Sequence, residues 1–287
     1  MKHTYNIYYV SMGAPSLTML LRALKPELSN SIEEFSANYP DEVVYINLGF
    51  EYPQVASTAV AVKELCSQSG IAFTQLDEDM WHLMLKAAVS RKRPKDAATN
   101  YGWKGFTQRL CQGYGWCGGR IRWGTALKRR AISKHLLSVR TALAKEYGTD
   151  NFKIRSFVGF SYEEICRSYR PFMCNAPHCV KFVYPLITAQ LTKPYCISYV
   201  TQEGYPVGDL YKLGLTHIGC WCCRNHNIRE IVAMRQKLPE VYSKLRALEA
   251  EIKEPYYRSP RGWACLDDIY WQRTKFMPAL GALGDSK

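Results

Sequence analysis

The chain has 287 residues, of which 47% are hydrophobic, and its 38 Lys and Arg residues outnumber its 25 Asp and Glu residues by 13. This composition excludes a disordered tail, a collagen-like repeat and a small disulfide scaffold, since each has a different balance of residues. No run approaches ~18 apolar residues and the first residues lack the apolar stretch of a secretory signal, so we expect a cytoplasmic protein with no membrane partner.

The N-terminal half alternates strand-like and helix-like segments. Strands are predicted at residues 5–10, 42–48, 71–76 and 154–158, and helices at residues 17–24 and 55–69. Such alternation predicts an α/β fold in which helices cover both faces of a parallel sheet.

The turns that follow these strands are the expected ligand site. In open parallel sheets, ligands bind beyond the carboxyl ends of the strands. The turn at residues 11–16, the turn at residues 49–53 and the loop after Gly159 are therefore expected to surround one crevice. A turn between a strand and a helix also presents backbone N–H groups and the helix dipole to an anion.

The last quarter of the chain has a different pattern. Two helices are predicted at residues 228–237 and 240–252, followed by a tail rich in Pro, Gly and aromatic residues. We therefore predict a nucleotide-binding domain over residues 1–225 and a C-terminal helical extension over residues 226–287 packed on it.

The positive charge is concentrated in one segment. Residues 97–145 contain ten Lys or Arg residues and no Asp or Glu, and Trp103, Trp116 and Trp123 lie among them. Such a segment repels itself unless an anion is near, and aromatic rings between cations suit stacking on bases. This favours a nucleic-acid or other phosphate-bearing partner, and the alternative is a solvated helix face.

Six short motifs occur in order along residues 5–250. They are Ser11, Gly13 and Ser16; Gly49, Glu51 and Pro53; Trp123, Thr125 and Lys128; Gly159, Glu164 and Arg167; Tyr184-Pro185-Leu186; and Gly219-Cys220-Trp221 with Cys223. In this order the chain resembles the phosphoadenosine phosphosulfate (PAPS) reductase family, a branch of the PP-loop ATP-pyrophosphatase-like proteins. The late cysteine motif resembles the phage-type members.

The resemblance implies an adenine nucleotide, ATP or PAPS, and sulfur transfer or redox chemistry. It implies nucleotide binding by Ser11, Gly13, Ser16, Gly49, Glu51 and Gly159, catalysis by Lys128, Glu164 and Arg167, and contacts to phosphate or nucleic acid by Arg120, Arg122, Arg129 and Arg130. The charged segment favours modification of a nucleic acid over reduction of a free sulfonucleotide, and a homodimer is a further expectation.

The first turn departs from the family at three positions. Met12 replaces a Gly, and Ala14 and Pro15 replace the Lys and Asp of the phosphate loop. An ammonium contact to phosphate contributes roughly 1.5–3 kcal/mol, and Pro15 lacks an N–H donor. Three explanations stay open, namely a degenerate member, an altered mechanism or an engineered loop. The alternative function is therefore a catalytically degenerate regulator that binds a nucleotide or nucleic acid.

The cysteines divide into two predicted groups. Cys220 and Cys223 have a spacing that suits zinc or an iron–sulfur cluster. The resemblance adds Cys117 as a ligand of a four-iron cluster, and the fourth ligand is open among Cys111, Cys174 and Cys179. The alternative is that Cys220 and Cys223 are buried thiols. Cys66, Cys196 and Cys265 are predicted core thiols, and His217 and His226 are predicted structural residues rather than catalytic ones.

Overall fold

A computed structural model describes residues 2–29, 32–80, 123–169, 178–223, 225–252, 256–259 and 262–268. Its main feature is a five-stranded sheet in which all neighbouring strands are parallel. The strands are β1 (His3–Tyr9), β2 (Glu42–Asn47), β3 (Ala72–Asp77), β4 (Phe152–Val158) and β5 (Val180–Val183). The predicted α/β fold is confirmed, and β5 is a strand that the sequence did not predict.

Helices flank this sheet and also form most of the C-terminal part. They are α1 (Ala14–Ala23), α2 (Ile32–Asn38), α3 (Pro53–Gln68), α4 (Trp123–Tyr147), α5 (Ile165–Ser168), α6 (Pro185–Thr188), α7 (Lys193–Gln202), α8 (Val207–Lys212), α9 (Ile228–Lys237) and α10 (Pro239–Ile252). Short 3-10 turns occupy Pro26–Leu28 and Tyr162–Glu164, and β6 (Tyr257–Ser259) pairs antiparallel with β7 (Gly262–Ala264). No helix among the described residues is long and apolar enough to cross a membrane.

Two adjacent tyrosines of β1 show that helices lie on both faces of the sheet. The Tyr8 hydroxyl donates to the carbonyl of Asn38 at the end of α2, at 2.7 Å. The Tyr9 hydroxyl lies 3.0 Å from Nδ1 of His135 in α4. Because consecutive side chains of a strand point to opposite faces, α2 and α4 cover opposite faces.

A buried polar bridge fixes the direction of α4. Nε2 of His135 lies 3.0 Å from Oε1 of Glu42, and Arg130 reaches Glu78, just beyond the end of β3, at 2.7 Å. Burial alone raises the pKa of Glu42, but hydrogen bonds from His135 and Thr74 outweigh it and lower that pKa. Helix α4 therefore runs antiparallel to the strands, with its first turns on the carboxyl side of the sheet.

The chain divides into two compact units. The first contains the sheet and comprises Met1–Asp79, Gly124–Leu213 and Ile218–Cys220. The second contains Gly214–His217 and, from Trp221 onward, α9, α10 and the β6–β7 hairpin. The predicted division at residue 225 stays a prediction.

The strand order locates the expected crevice. The order of the strands is β3-β2-β1-β4-β5. From β1 the chain passes to β2 and β3 on one side of β1, and β4 and β5 lie on the other side. The order reverses between β1 and β4, and such a switch point opens a crevice at the carboxyl ends of the two strands. The turn after β1 and the loop after β4 meet there.

Candidate nucleotide-binding site

The turn after β1 keeps the backbone shape that a glycine favours. Met12 has a φ of 57°, in the left-handed region, and its side chain is fully buried. That conformation costs a residue with a Cβ about 1 kcal/mol. Gly13 then caps α1, and Pro15 lies in the first turn, where a missing N–H is tolerated. The turn therefore holds Met12 in a conformation that glycine adopts at lower cost.

The two serine hydroxyls of this turn bond to each other. Ser16 Oγ accepts from the Ser11 N–H at 3.1 Å, lies 3.0 Å from Ser11 Oγ and donates to the Gly13 carbonyl at 3.1 Å. Ser16 is buried, whereas Ser11 is exposed. The Ser16 hydroxyl thus shapes the turn from inside, and the Ser11 hydroxyl is the one at the surface.

A tyrosine from α8 closes part of the turn. The Tyr211 hydroxyl accepts from the Ala14 N–H at 3.0 Å. Burial raises the pKa of Tyr211 to about 12, although the bond from Ala14 lowers it. The neutral phenol therefore occupies a backbone donor at the start of α1, where an anion would otherwise bind.

The turn after β2 is built around a carboxylate that has one unpartnered oxygen. Gly49 has a φ of 80°, and its N–H donates to Asn47 Oδ1 at 2.9 Å. Glu51 Oε1 accepts from the Leu48 N–H at 2.9 Å. Within the described residues, Oε2 of Glu51 is buried and has no hydrogen-bond partner. Since such an atom is costly to bury, a donor from a ligand would stabilise it.

Acidic groups and a thiol gather at the carboxyl ends of β2 and β3. Burial raises the pKa of Tyr45 well above its ordinary value, and the nearby Glu51, Cys220 and Asp77 raise it further. Asp77 also accepts from Asn47 Nδ2 at 2.9 Å. Cys220, from the late cysteine motif, therefore lies on the same edge of the sheet as the predicted nucleotide turns.

Gly159 packs closely against the start of α1. A Cβ at Gly159 would lie 2.4 Å from the Cα and 2.8 Å from the backbone nitrogen of Ser16. Real Cβ atoms do not approach other atoms so closely, so only glycine lets the loop after β4 touch the start of α1. The resemblance implied nucleotide binding by Gly159, and the structure assigns it the contact that joins the two sides of the crevice.

The predicted catalytic pair Glu164 and Arg167 lies beyond that loop. Glu164 Oε2 accepts from the Ser161 N–H at 3.2 Å and completes a capping box, while its other oxygen bonds to Arg167. The Arg167 guanidinium also lies 4.3 Å from the centre of the Phe160 ring. Both side chains therefore hold the local structure, with Arg167 still partly exposed.

Helix α4 carries the described half of the charged segment. Leu127, Ala131, Ile132, Leu136 and Leu143 are buried, whereas Arg130, Lys134, Arg140 and Lys145 are exposed. This half is the exposed face of an amphipathic helix. A phosphate-bearing partner and a merely solvated face both stay predictions. Lys128 and Arg129 are half-buried in the second turn, on the carboxyl side of the sheet. Arg120 and Arg122 lie outside the described residues.

The cysteines separate by position. Cys66 and Cys196 are fully buried, and burial raises the pKa of each thiol to about 11, which confirms them as core residues. The same prediction is wrong for Cys265, which is exposed because the neighbouring Leu266 takes the buried position after β7. Cys220 and Cys223 are half-buried and belong to different units.

The described residues do not complete a metal site. Among them, no group of three or more His, Cys, Asp or Glu side chains is placed to hold a metal ion. Cys179 precedes β5 at the amino-terminal edge of the sheet, the edge opposite Cys220. Cys111, Cys117 and Cys174 lie outside the described residues, so zinc or an iron–sulfur cluster stays a prediction that depends on them.

A buried carboxylate organises the second unit. Glu230 Oε1 accepts from the N–H and hydroxyl of Thr216, at 2.6 and 2.8 Å, and from the His217 N–H at 3.0 Å, while Oε2 accepts from the Asn227 N–H at 2.8 Å. Burial alone raises the pKa of Glu230, but these bonds and His217 hold it well below its ordinary value. Asn227 and Glu230 have the three-residue spacing of a capping box, and this spacing is the sequence signal that could have predicted the role of Glu230.

His226 has the structural role that the sequence favoured, whereas the side chain of His217 is half-exposed and its role stays a prediction. His226 is buried, with Nδ1 3.1 Å from the Tyr256 hydroxyl and Nε2 2.8 Å from the His217 carbonyl. Burial lowers the pKa of His226. Both ring nitrogens are occupied, so His226 holds the fold of its unit.

Comparisons with known proteins leave the resemblance untested. No protein-family model matches the chain. A search of curated proteins also finds no significant match.

Proposed function

We propose that the protein binds an adenine nucleotide, ATP or PAPS, at the switch point of its sheet and uses it in sulfur transfer or redox chemistry in the cytoplasm. The observation that carries this proposal is the buried, unpartnered Oε2 of Glu51, on the same sheet edge as the turn after β1. An amino or hydroxyl group of a nucleotide would supply the missing donor.

The phosphates would lie at the start of α1. The N–H groups of Ser11, Ala14 and Leu17 are already bonded within the described structure, and Pro15 has none. Of the other residues in the turn, Ser16 has its nitrogen against Gly159. Met12 and Gly13 would therefore supply the remaining backbone donors, supported by the helix dipole. Lys128 and Arg129 lie on the same side of the sheet and would add positive charge. Nucleic acid as the acceptor of sulfur is part of this proposal, on the strength of the charged segment.

Substitution of Glu51 by Gln tests the binding site. The Gln carbonyl can keep the bond from Leu48, but its NH₂ group would face the ligand donor. We expect ATP and PAPS to bind at least about 10-fold more weakly by isothermal titration, since a hydrogen bond to a charged group contributes roughly 1.5–3 kcal/mol. Glu64→Gln, on the exposed side of α3, is the matched control. Equal affinities of the two variants would remove the proposed site.

Tyr211 favours a second candidate function, a nucleotide-binding regulator without catalysis. Its hydroxyl occupies the Ala14 N–H, and the loop lacks the family's Lys and Asp. A nucleotide at this turn would then be held without the groups that stabilise charge developing during reaction.

Tyr211→Phe tests the contact to Ala14, and product release separates the two candidates. The ring stays in place and the Ala14 N–H becomes available, so we expect nucleotide affinity to rise about 3-fold. Tyr169→Phe, at a largely exposed ring, should leave the affinity unchanged. Pyrophosphate release from ATP, or sulfite release from PAPS with a dithiol, is measured for each protein. Release of either product by the unaltered protein supports the enzyme and contradicts the regulator. Nucleotide binding without product release supports the regulator and contradicts the enzyme.

A further inference from the structure

A basic cavity lies at the amino-terminal edge of the sheet, opposite the crevice described above. Its volume is about 780 Å³, and the ends of β1, β4 and β5 form its wall. Four of its lining residues are cations, Lys2, Lys153, Arg155 and Lys181, against one acid, Asp150. Neither the resemblance nor the proposed function uses this edge.

The strand register explains why the cations converge. Lys153 is aligned with Thr4 of β1, and Arg155 is aligned with Lys181 of β5. Aligned residues of parallel strands point to the same face, as do residues two apart on one strand. Since neighbouring strands lie about 4.8 Å apart, Arg155 and Lys181 are side by side. Lys153 lies two residues before Arg155 on β4, on the same face.

Within the described part of the chain, none of these four cations is paired with a carboxylate. Arg155 donates to the Ala37 carbonyl at 2.9 Å, and its guanidinium lies 4.9 Å from the centre of the Phe157 ring. These neutral partners hold the guanidinium in place and leave its charge available, while Lys153 and Lys181 are exposed.

We propose that this cavity binds a compact oligophosphate, a group with several linked phosphates. A planar guanidinium and flanking ammonium groups match phosphate oxygens, which accept charge-assisted hydrogen bonds. The volume lies within the range of ligand cavities, roughly 300–1,000 Å³. The concave shape and the convergence of the cations favour a small ligand over an extended nucleic-acid strand.

The site is independent of the proposed nucleotide site. Strand β4 has seven residues, so about 20 Å of sheet separates its two ends. A ligand in the basic cavity therefore cannot touch the turn after β1. The two proposals can fail separately.

Isothermal titration with sodium tripolyphosphate tests the inference. The double variant Lys153→Gln, Lys181→Gln removes two exposed cations and leaves the Arg155 contacts intact. We expect it to bind tripolyphosphate at least about 10-fold more weakly than the unaltered protein. The control is Lys63→Gln with Lys244→Gln, which removes the same charge from exposed helix positions and should change the affinity less than about 2-fold. The Glu51→Gln variant should bind tripolyphosphate with the affinity of the unaltered protein, even where its affinity for ATP is lower.

Three results would overturn the inference. The first is no binding of tripolyphosphate at millimolar concentration in low salt. The second is equal affinity of the two double variants, which would indicate binding elsewhere or attraction by net charge alone. The third is tight binding of a single-stranded oligonucleotide through Lys153 and Lys181 without binding of tripolyphosphate.

Discussion

Gly159→Ala is expected to destabilise the sheet-containing unit by about 3 kcal/mol and to abolish measurable nucleotide binding. The added Cβ would lie 2.4 Å from the Cα of Ser16, and a backbone atom cannot move aside as a flexible side chain does. Either the loop after β4 or the start of α1 must shift. Because Ser16 Oγ holds the turn through Ser11 and Gly13, a shift would also displace the backbone donors of the crevice.

Urea unfolding and titration with ATP check this expectation. Gly219→Ala is the matched stability control, since its Cβ would meet nothing within 4 Å and its φ is not positive. The control should cost less than about 0.5 kcal/mol. If Gly159→Ala unfolds at the same urea concentration as Gly219→Ala, the close approach between the two sides of the crevice is wrong. Normal stability with lost binding would instead make Gly159 a direct ligand contact, as the family resemblance implied.

Glu230→Gln is expected to destabilise the second unit by about 3 kcal/mol at pH 7. The carboxylate accepts four hydrogen bonds, and three of them converge on Oε1. A Gln side chain offers one acceptor oxygen, and its NH₂ group must face either the Thr216 and His217 donors or the Asn227 N–H. Buried donors are then left without acceptors, which is the costly outcome.

The pH dependence has a defined sign. Hydrogen bonds lower the pKa of Glu230 in the folded state, so its stabilisation is complete above the ordinary value near 4.5 and is lost as the pH falls below it. The stability difference between the unaltered protein and Glu230→Gln should therefore shrink from pH 6 to pH 3. Glu251→Gln, at an exposed site on α10, should show little difference at either pH. A difference that stays constant down to pH 3 would contradict the assigned protonation state.

The sequence predicted the sheet and its turns because these depend on local patterns. Strands β1 to β4 lie within a few residues of their predicted limits, and the turn after β1 begins at the predicted Ser11. Strand β5 escaped prediction since four residues, Val180–Val183, carry too short a pattern to distinguish a strand from a loop. Its place beside β4 is set by long-range pairing, which no short segment encodes.

The missed site residues act across the chain. Tyr211 reaches Ala14 over a separation of 197 residues. His135 reaches Tyr9 and Glu42 over separations of 126 and 93 residues. A tyrosine in a short helix and a histidine within a charged helix give no local sign of these contacts. Conversely, Cys265 has apolar neighbours in sequence but an exposed side chain, because Leu266 beside it takes the buried position.

The central position of β1 has a consequence for how the protein is made. One side of β1 pairs with β2 as soon as residue 47 has been synthesised, but its other side must wait for β4, which ends more than 100 residues later. Until then the nascent sheet exposes one backbone edge of its central strand, an arrangement prone to pairing with other chains. Slow closure of this edge, rather than weak packing of the finished sheet, would then limit the yield of soluble protein.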